Sequence, residues 1–123
     1  MNIPNRILER RRSARIAESF LFKIAHQGYD IQAVTVNVSS HGVMGIVETN
    51  IPVMSQIKVA LQLPAKTQKG GAKVKTIQVK GVVVRKDRDV RTGRYLVAIY
   101  FSEMKPADQK CLERFIDRYL KTG

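Results

Sequence analysis

A chain of 123 residues, 44% hydrophobic and 26% charged, has the size and composition of one globular domain rather than of a disordered segment. No apolar run approaches the roughly 20 residues that cross a bilayer, Met1 to Arg15 is polar and basic without a secretory core, and the lone Cys111 excludes an internal disulfide; a cytoplasmic protein without membrane insertion is expected. The net charge of +12 is concentrated: five arginines face Glu9 within residues 1–15, ten lysines and arginines face Asp87 and Asp89 within 66–94, and the remainder balances, which points to a partner carrying phosphates or an acidic surface.

From Arg15 onward the pattern is that of strands. Ile16 to Ala25 puts Phe20, Phe22 and Ile24 on one face by alternation, and His26-Gln27-Gly28 marks a turn. Tyr29 to Val38 follows, with Val34, Val36 and Val38 on one face and Thr35 and Asn37 on the other. Ser39-Ser40-His41-Gly42 breaks this strand, Val43 to Glu48 resumes extended, and Gln56 to Leu63 alternates again until Pro64, which is expected to end it. Lys66 to Lys75 reads as a mobile basic connection, Thr76 to Lys86 as a long strand, Asp89 to Gly93 as a turn, and Tyr95 to Phe101 as the last strand. At the widest count these make seven extended segments without interleaved helices, the pattern of a closed or nearly closed antiparallel barrel. Pro106 to Lys121 is the one helix expected, because Leu112, Phe115, Ile116, Tyr119 and Leu120 form a single apolar stripe, with Pro106 and Asp108 suited to its first turn.

Two constellations carry chemistry. In Glu9-Arg10-Arg11-Arg12-Ser13-Ala14-Arg15, Arg11 and Arg15 are four apart, which keeps them on one face in a helical turn (about 6 Å apart) and in an extended chain (about 13 Å). Arginine suits bidentate bonds to phosphate and to the O6/N7 edge of guanine. The second constellation is Asn37-Val38-Ser39-Ser40-His41-Gly42. If the valines fill the barrel, the Asn37 amide and Ser39 hydroxyl stand together on its outer wall, where they supply donors and acceptors for a base edge, and Gly42 allows a ring to approach the backbone.

An Arg-x-x-x-Arg segment, about 20 residues of strand-turn-strand, then (Asp/Asn)-x-Ser-x-x-Gly: in this order and spacing the sequence resembles the PilZ domain along nearly its whole length. Arg11 and Arg15 match the arginine pair; Asn37, Ser39 and Gly42 match the second motif; Val79 to Arg85, Tyr95 to Phe101 and the closing helix are similar to the family's last strands and C-terminal helix. The resemblance implies an all-β fold with a C-terminal helix: a six-stranded antiparallel PilZ-type barrel over 16–123, the helix near 106–121, and a flexible basic N-terminal arm, 1–15, that folds over the ligand. The count of seven is then one too many, either because the short stretch after Gly42 merges with a neighbour or because one segment is a bent strand. The ligand implied is cyclic-di-GMP, bound by Arg10, Arg11, Arg15, Asn37, Ser39 and Gly42, with no other cofactor; the output implied is regulation of a downstream protein partner. Three positions depart from the family pattern. Met44 stands where many members have a second glycine, with Gly45 one place later; Ala98 replaces a frequent glycine of the last strand; Asn37 replaces the commoner Asp, which makes its contacts to guanine donors neutral.

Catalysis is not expected. His26 and His41 have no carboxylate or cysteine at a recognisable spacing, there is no Cys/His metal cluster, and Gly70-Gly71 lacks the ending of a phosphate loop. Two other readings stay open. A basic barrel could track nucleic acid, though Tyr95 is the one aromatic residue beside the basic segments and there is no Trp. A PilZ fold without nucleotide binding could act purely as a protein adaptor, a role that needs neither motif.

Overall fold

The computed structural model describes residues 15–66 and 72–122. Of the expected arm, Arg15 lies inside this range, whereas Arg10 and Arg11 fall outside the described residues, as does the centre of the basic connection, 67–71.

Six strands close into an antiparallel barrel: β1 (Leu21–His26), β2 (Tyr29–Val38), β3 (Gly42–Val47), β4 (Gln56–Lys66), β5 (Ala72–Arg88) and β6 (Tyr95–Met104), in the order β1-β2-β3-β6-β5-β4. The stretch after Gly42 is a strand in its own right, paired with β2 and β6, and does not merge with a neighbour. Alternation places Phe22 and Ile24 of β1 fully inside, together with Val59, Leu61, Ile77, Val83, Val97 and Ile99 from the other walls. The β1–β2 connection is a two-residue turn in which Gln27 (φ 52°) and Gly28 (φ 82°) are both left-handed, the twist a tight hairpin requires.

Two expectations along the strands are corrected. The valine face of β2 does not run straight: a bulge between Thr35 and Asn37 leaves Val36 unpaired. Ala33 and Thr35 therefore point inward, Val34 (39% exposed) and Val36 (38%) point outward, and only Val38 of the three valines enters the core. Pro64 does not end β4. It pairs opposite Val74, beyond Leu61, the last residue that β1 reaches, so its missing N–H faces no ladder partner and the strand continues to Lys66.

Helix α1 (Pro106–Thr122) follows β6, with Asp108 in its first turn near the positive end of the helix dipole. Its stripe joins the barrel core through Leu112, Phe115 and Ile116. Phe115 meets Phe20 edge-on at 5.7 Å and Tyr119 at 5.1 Å, so the helix also packs on the segment leading into β1.

Candidate ligand-binding face

The segment before β1 is stitched to the end of β2. Ile16 and Val38 exchange backbone hydrogen bonds of 2.9 and 3.1 Å, and Ile16 is buried. Three residues further, the buried Thr35 hydroxyl accepts from Phe20 N–H (2.9 Å) and donates to the Glu18 carbonyl, while Thr35 N–H donates to the Phe20 carbonyl (2.9 Å). Residues 16–20 thus have a fixed path, and Arg15 emerges from it on the outer wall. There its Nη1 donates to Asn37 Oδ1 at 2.8 Å. The two sequence motifs, 22 residues apart, meet in this bond.

Asn37 points outward as expected, but the bulge at Val36 is what turns it there. Its Nδ2 donates weakly to Met44 Sδ at 3.5 Å, so Met44 lies beside it on the face. Pairing continues the row across the wall, Asn37–Met44–Ala98–Arg85, over three strand spacings or about 14 Å. The next row, Val34–Ile46–Leu96–Asp87, is apolar until its last member, and exposed Tyr100 stands opposite Gly42 on the other side. Arg85 and Asp87 form an exposed ion pair at 3.1 Å. The face is therefore a shallow apolar ledge with Arg15 and Asn37 at one end and Arg85 at the other, a shape suited to flat rings with anionic groups at their edges.

Ser39 does not stand on that wall. It is fully buried: its Oγ accepts from His41 N–H (3.2 Å) and contacts the Gly42 carbonyl (3.4 Å), to which Ser39 N–H donates (2.9 Å). The strand ends at Val38, and the chain turns inward one residue sooner than simple alternation implies. Gly42 is glycine for a packing reason. A Cβ there would sit 2.4 Å from the Ile99 carbonyl oxygen, and the turn is tied to β6 through Phe101 N–H and the His41 carbonyl (2.8 Å). Gly45 cannot replace the family's second glycine, because its position faces inward; a Cβ would lie 2.5 Å from the Phe22 ring.

Sequence reasoning missed Thr35, Arg85 and Tyr100. Thr35 was visible as a polar residue in a valine-rich strand, but only the bulge shows that it faces inward. Arg85 and Tyr100 join the site through cross-strand register, which the sequence does not print. Around the site, Tyr119 donates to the Glu18 carboxylate; burial first, then this bond and the nearby charge, push its phenol above the usual value. Among the described residues no group of three His, Cys, Asp or Glu side chains could hold a metal ion, and no helix is long and apolar enough to cross a membrane.

The profile of the PilZ domain matches residues 9–118. The chain belongs to the PilZ domain family. Among the solved structures that share its fold are the following three. The inhibitor of motility MotI/DgrA of Bacillus subtilis aligns with a TM-score of 0.74 at 20% identity, over 91% of this chain and 52% of that one, so this chain spans about half the length of MotI. The PilZ domain of YcgR from Escherichia coli, solved with c-di-GMP, aligns at 0.61 and 16% identity over 92% and 93%. The PilZ domain of CeSA from a cellulose-synthesising bacterium aligns at 0.56 and 13% over 87% and 98%. No curated protein matches the sequence.

Proposed function

We propose that this PilZ domain is a receptor for cyclic-di-GMP that changes its surface on binding and so regulates a protein partner in the bacterial cytoplasm. The observation that carries the reading is the Arg15–Asn37 bond, which brings the two motifs to one end of an apolar ledge. The family supports it, as does the PilZ domain of YcgR, which was solved with that ligand.

In this reading Arg10, Arg11 and Arg15 take the phosphate oxygens and the O6/N7 edges of guanine. Asn37 Oδ1 accepts from the N1–H and N2–H of one guanine. These donors compete with Arg15 for the same oxygen, so ligand entry frees the guanidinium to turn onto the dinucleotide. The bond given up is exposed and costs about 1 kcal/mol, against roughly 1.5–3 kcal/mol for each charge-assisted bond gained. A micromolar complex needs about −8.2 kcal/mol, which four or five such bonds cover after the arm is ordered. Gly42 and buried Ser39 hold the turn that aims Asn37, a supporting role in place of direct ligand contact. Met44 narrows the floor beside Asn37, and Tyr100 and Arg85 are additional wall residues in reach of the second base.

The response passes through residues 16–20. Phe20 packs on Phe115 and Glu18 accepts from Tyr119, so a shift at Arg15 is felt along α1. Calorimetric titration of the Arg11→Ala variant tests the assignment: at least tenfold weaker binding of cyclic-di-GMP is expected, and full affinity would remove the arginine pair from the mechanism.

A further inference from the structure

The β4–β5 hairpin is longer than the barrel needs. β1 pairs with β4 only as far as Leu61, and β6 pairs with β5 only from Val79, yet β4 and β5 stay in register to Lys66 opposite Ala72. Beyond Leu61 the hairpin is a two-stranded ribbon overhanging the barrel, a structure with little stability in water unless something packs on it. Helix α1 lies alongside, and between them is a groove of about 440 Å³.

The groove has a distinct chemistry. Leu63, Pro64 and Phe115 form an apolar floor, and Lys75, Lys110 and Arg114 stand at its rim. Lys110 and Arg114 are four apart and so share one side of the helix, while Lys75 faces them from the ribbon. Among the described residues none of these three cations pairs with a carboxylate, and Asp108 is the one acid lining the groove. The neighbouring carboxylates of α1, Glu113 and Asp117, fall outside the lining.

We infer that this groove docks an acidic segment of a protein partner, with an apolar side chain seated on the exposed Pro64 ring above buried Leu63 and Phe115, and carboxylates bonded to Lys75, Lys110 and Arg114. Charge complementarity selects the occupant. Three cations converging from two sides over an apolar floor are satisfied by a peptide carrying both carboxylates and apolar anchors. A nucleic-acid strand would want exposed rings to stack on, and the one aromatic ring lining the groove, Phe115, is buried in the core. The docking does not depend on the nucleotide.

The test is fluorescence anisotropy of the full chain at about 150 mM salt, using a labelled twelve-residue peptide that repeats Leu-Glu-Glu-Leu. Saturable binding is expected. It should weaken at least tenfold in the Lys110→Glu/Arg114→Glu variant and remain unchanged in Arg91→Glu, which reverses one exposed charge in the β5–β6 turn and so matches Lys75→Glu charge for charge. Lys75→Glu reports independently from the ribbon side should the double variant melt early. No saturable binding would overturn the proposal. So would equal losses in Arg91→Glu, equal affinity for a peptide with Gln in place of Glu, or displacement by an oligothymidylate of the same charge at the same concentration.

Discussion

Arg15 and Asn37 on one side, and Ser39 and Gly42 on the other, belong to the same pair of motifs, and Asn37 is only two residues from Ser39, yet burial divides them. The first pair is accessible and meets in a single 2.8 Å bond on the outer wall. The second is enclosed, spending its hydrogen bonds inside a turn that is pinned to β6. A motif that reads as one binding signature is thus two devices: a pair of groups that can exchange partners and a rigid bracket that aims them. Exchange is inexpensive where both groups are exposed, and rigidity comes from backbone contacts with no room for a Cβ.

The division is open to attack at both ends. Gly42→Ala should have the largest effect. A methyl group 2.4 Å from the Ile99 carbonyl forces backbone to move, and a loss of about 3 kcal/mol in urea denaturation is expected, with ligand binding failing as a consequence. Arg15→Ala should do the opposite: affinity for cyclic-di-GMP falls at least tenfold by calorimetry, while stability changes by less than about 0.5 kcal/mol, as for an exposed side chain. Ser39→Ala should lose about 1 kcal/mol of stability, the cost of a buried hydroxyl that accepts from His41 N–H, with affinity held within threefold once the protein is folded. A tenfold loss there without destabilisation would return Ser39 to the ligand and dissolve the division. Met44→Gly is the mildest and has a sign of its own: clearing the floor beside Asn37 should tighten binding by a few-fold, at a strand cost of about 1 kcal/mol.

Much of this arrangement is legible in the sequence. Phe22 and Ile24 alternate inward as their spacing dictates, and the stripe of α1 buries Leu112, Phe115 and Ile116. Asn37 and Arg15 are marked by type and spacing. What is hidden is whatever depends on a neighbouring strand. The bulge at Val36 inverts the valine face because an extra residue in β2 has no partner in β3, and neither strand alone reveals it. Pro64 reads as a stop in isolation and is harmless on a ribbon that β1 does not reach. Ser39 was expected on the outer wall for the same reason, since alternation holds only while the strand lasts and this one ends at Val38. Arg85 and Tyr100 join the face across two or three strands by register, information that lies in pairing and not in any local pattern.

The most direct test of the central claim is isothermal titration of the unmodified protein with cyclic-di-GMP at about 150 mM salt, with GTP as the control. Selective binding in the low micromolar range or tighter is predicted, with the mononucleotide giving no comparable heat. A folded protein that gives no heat with cyclic-di-GMP would contradict the account and leave the PilZ barrel as a protein adaptor.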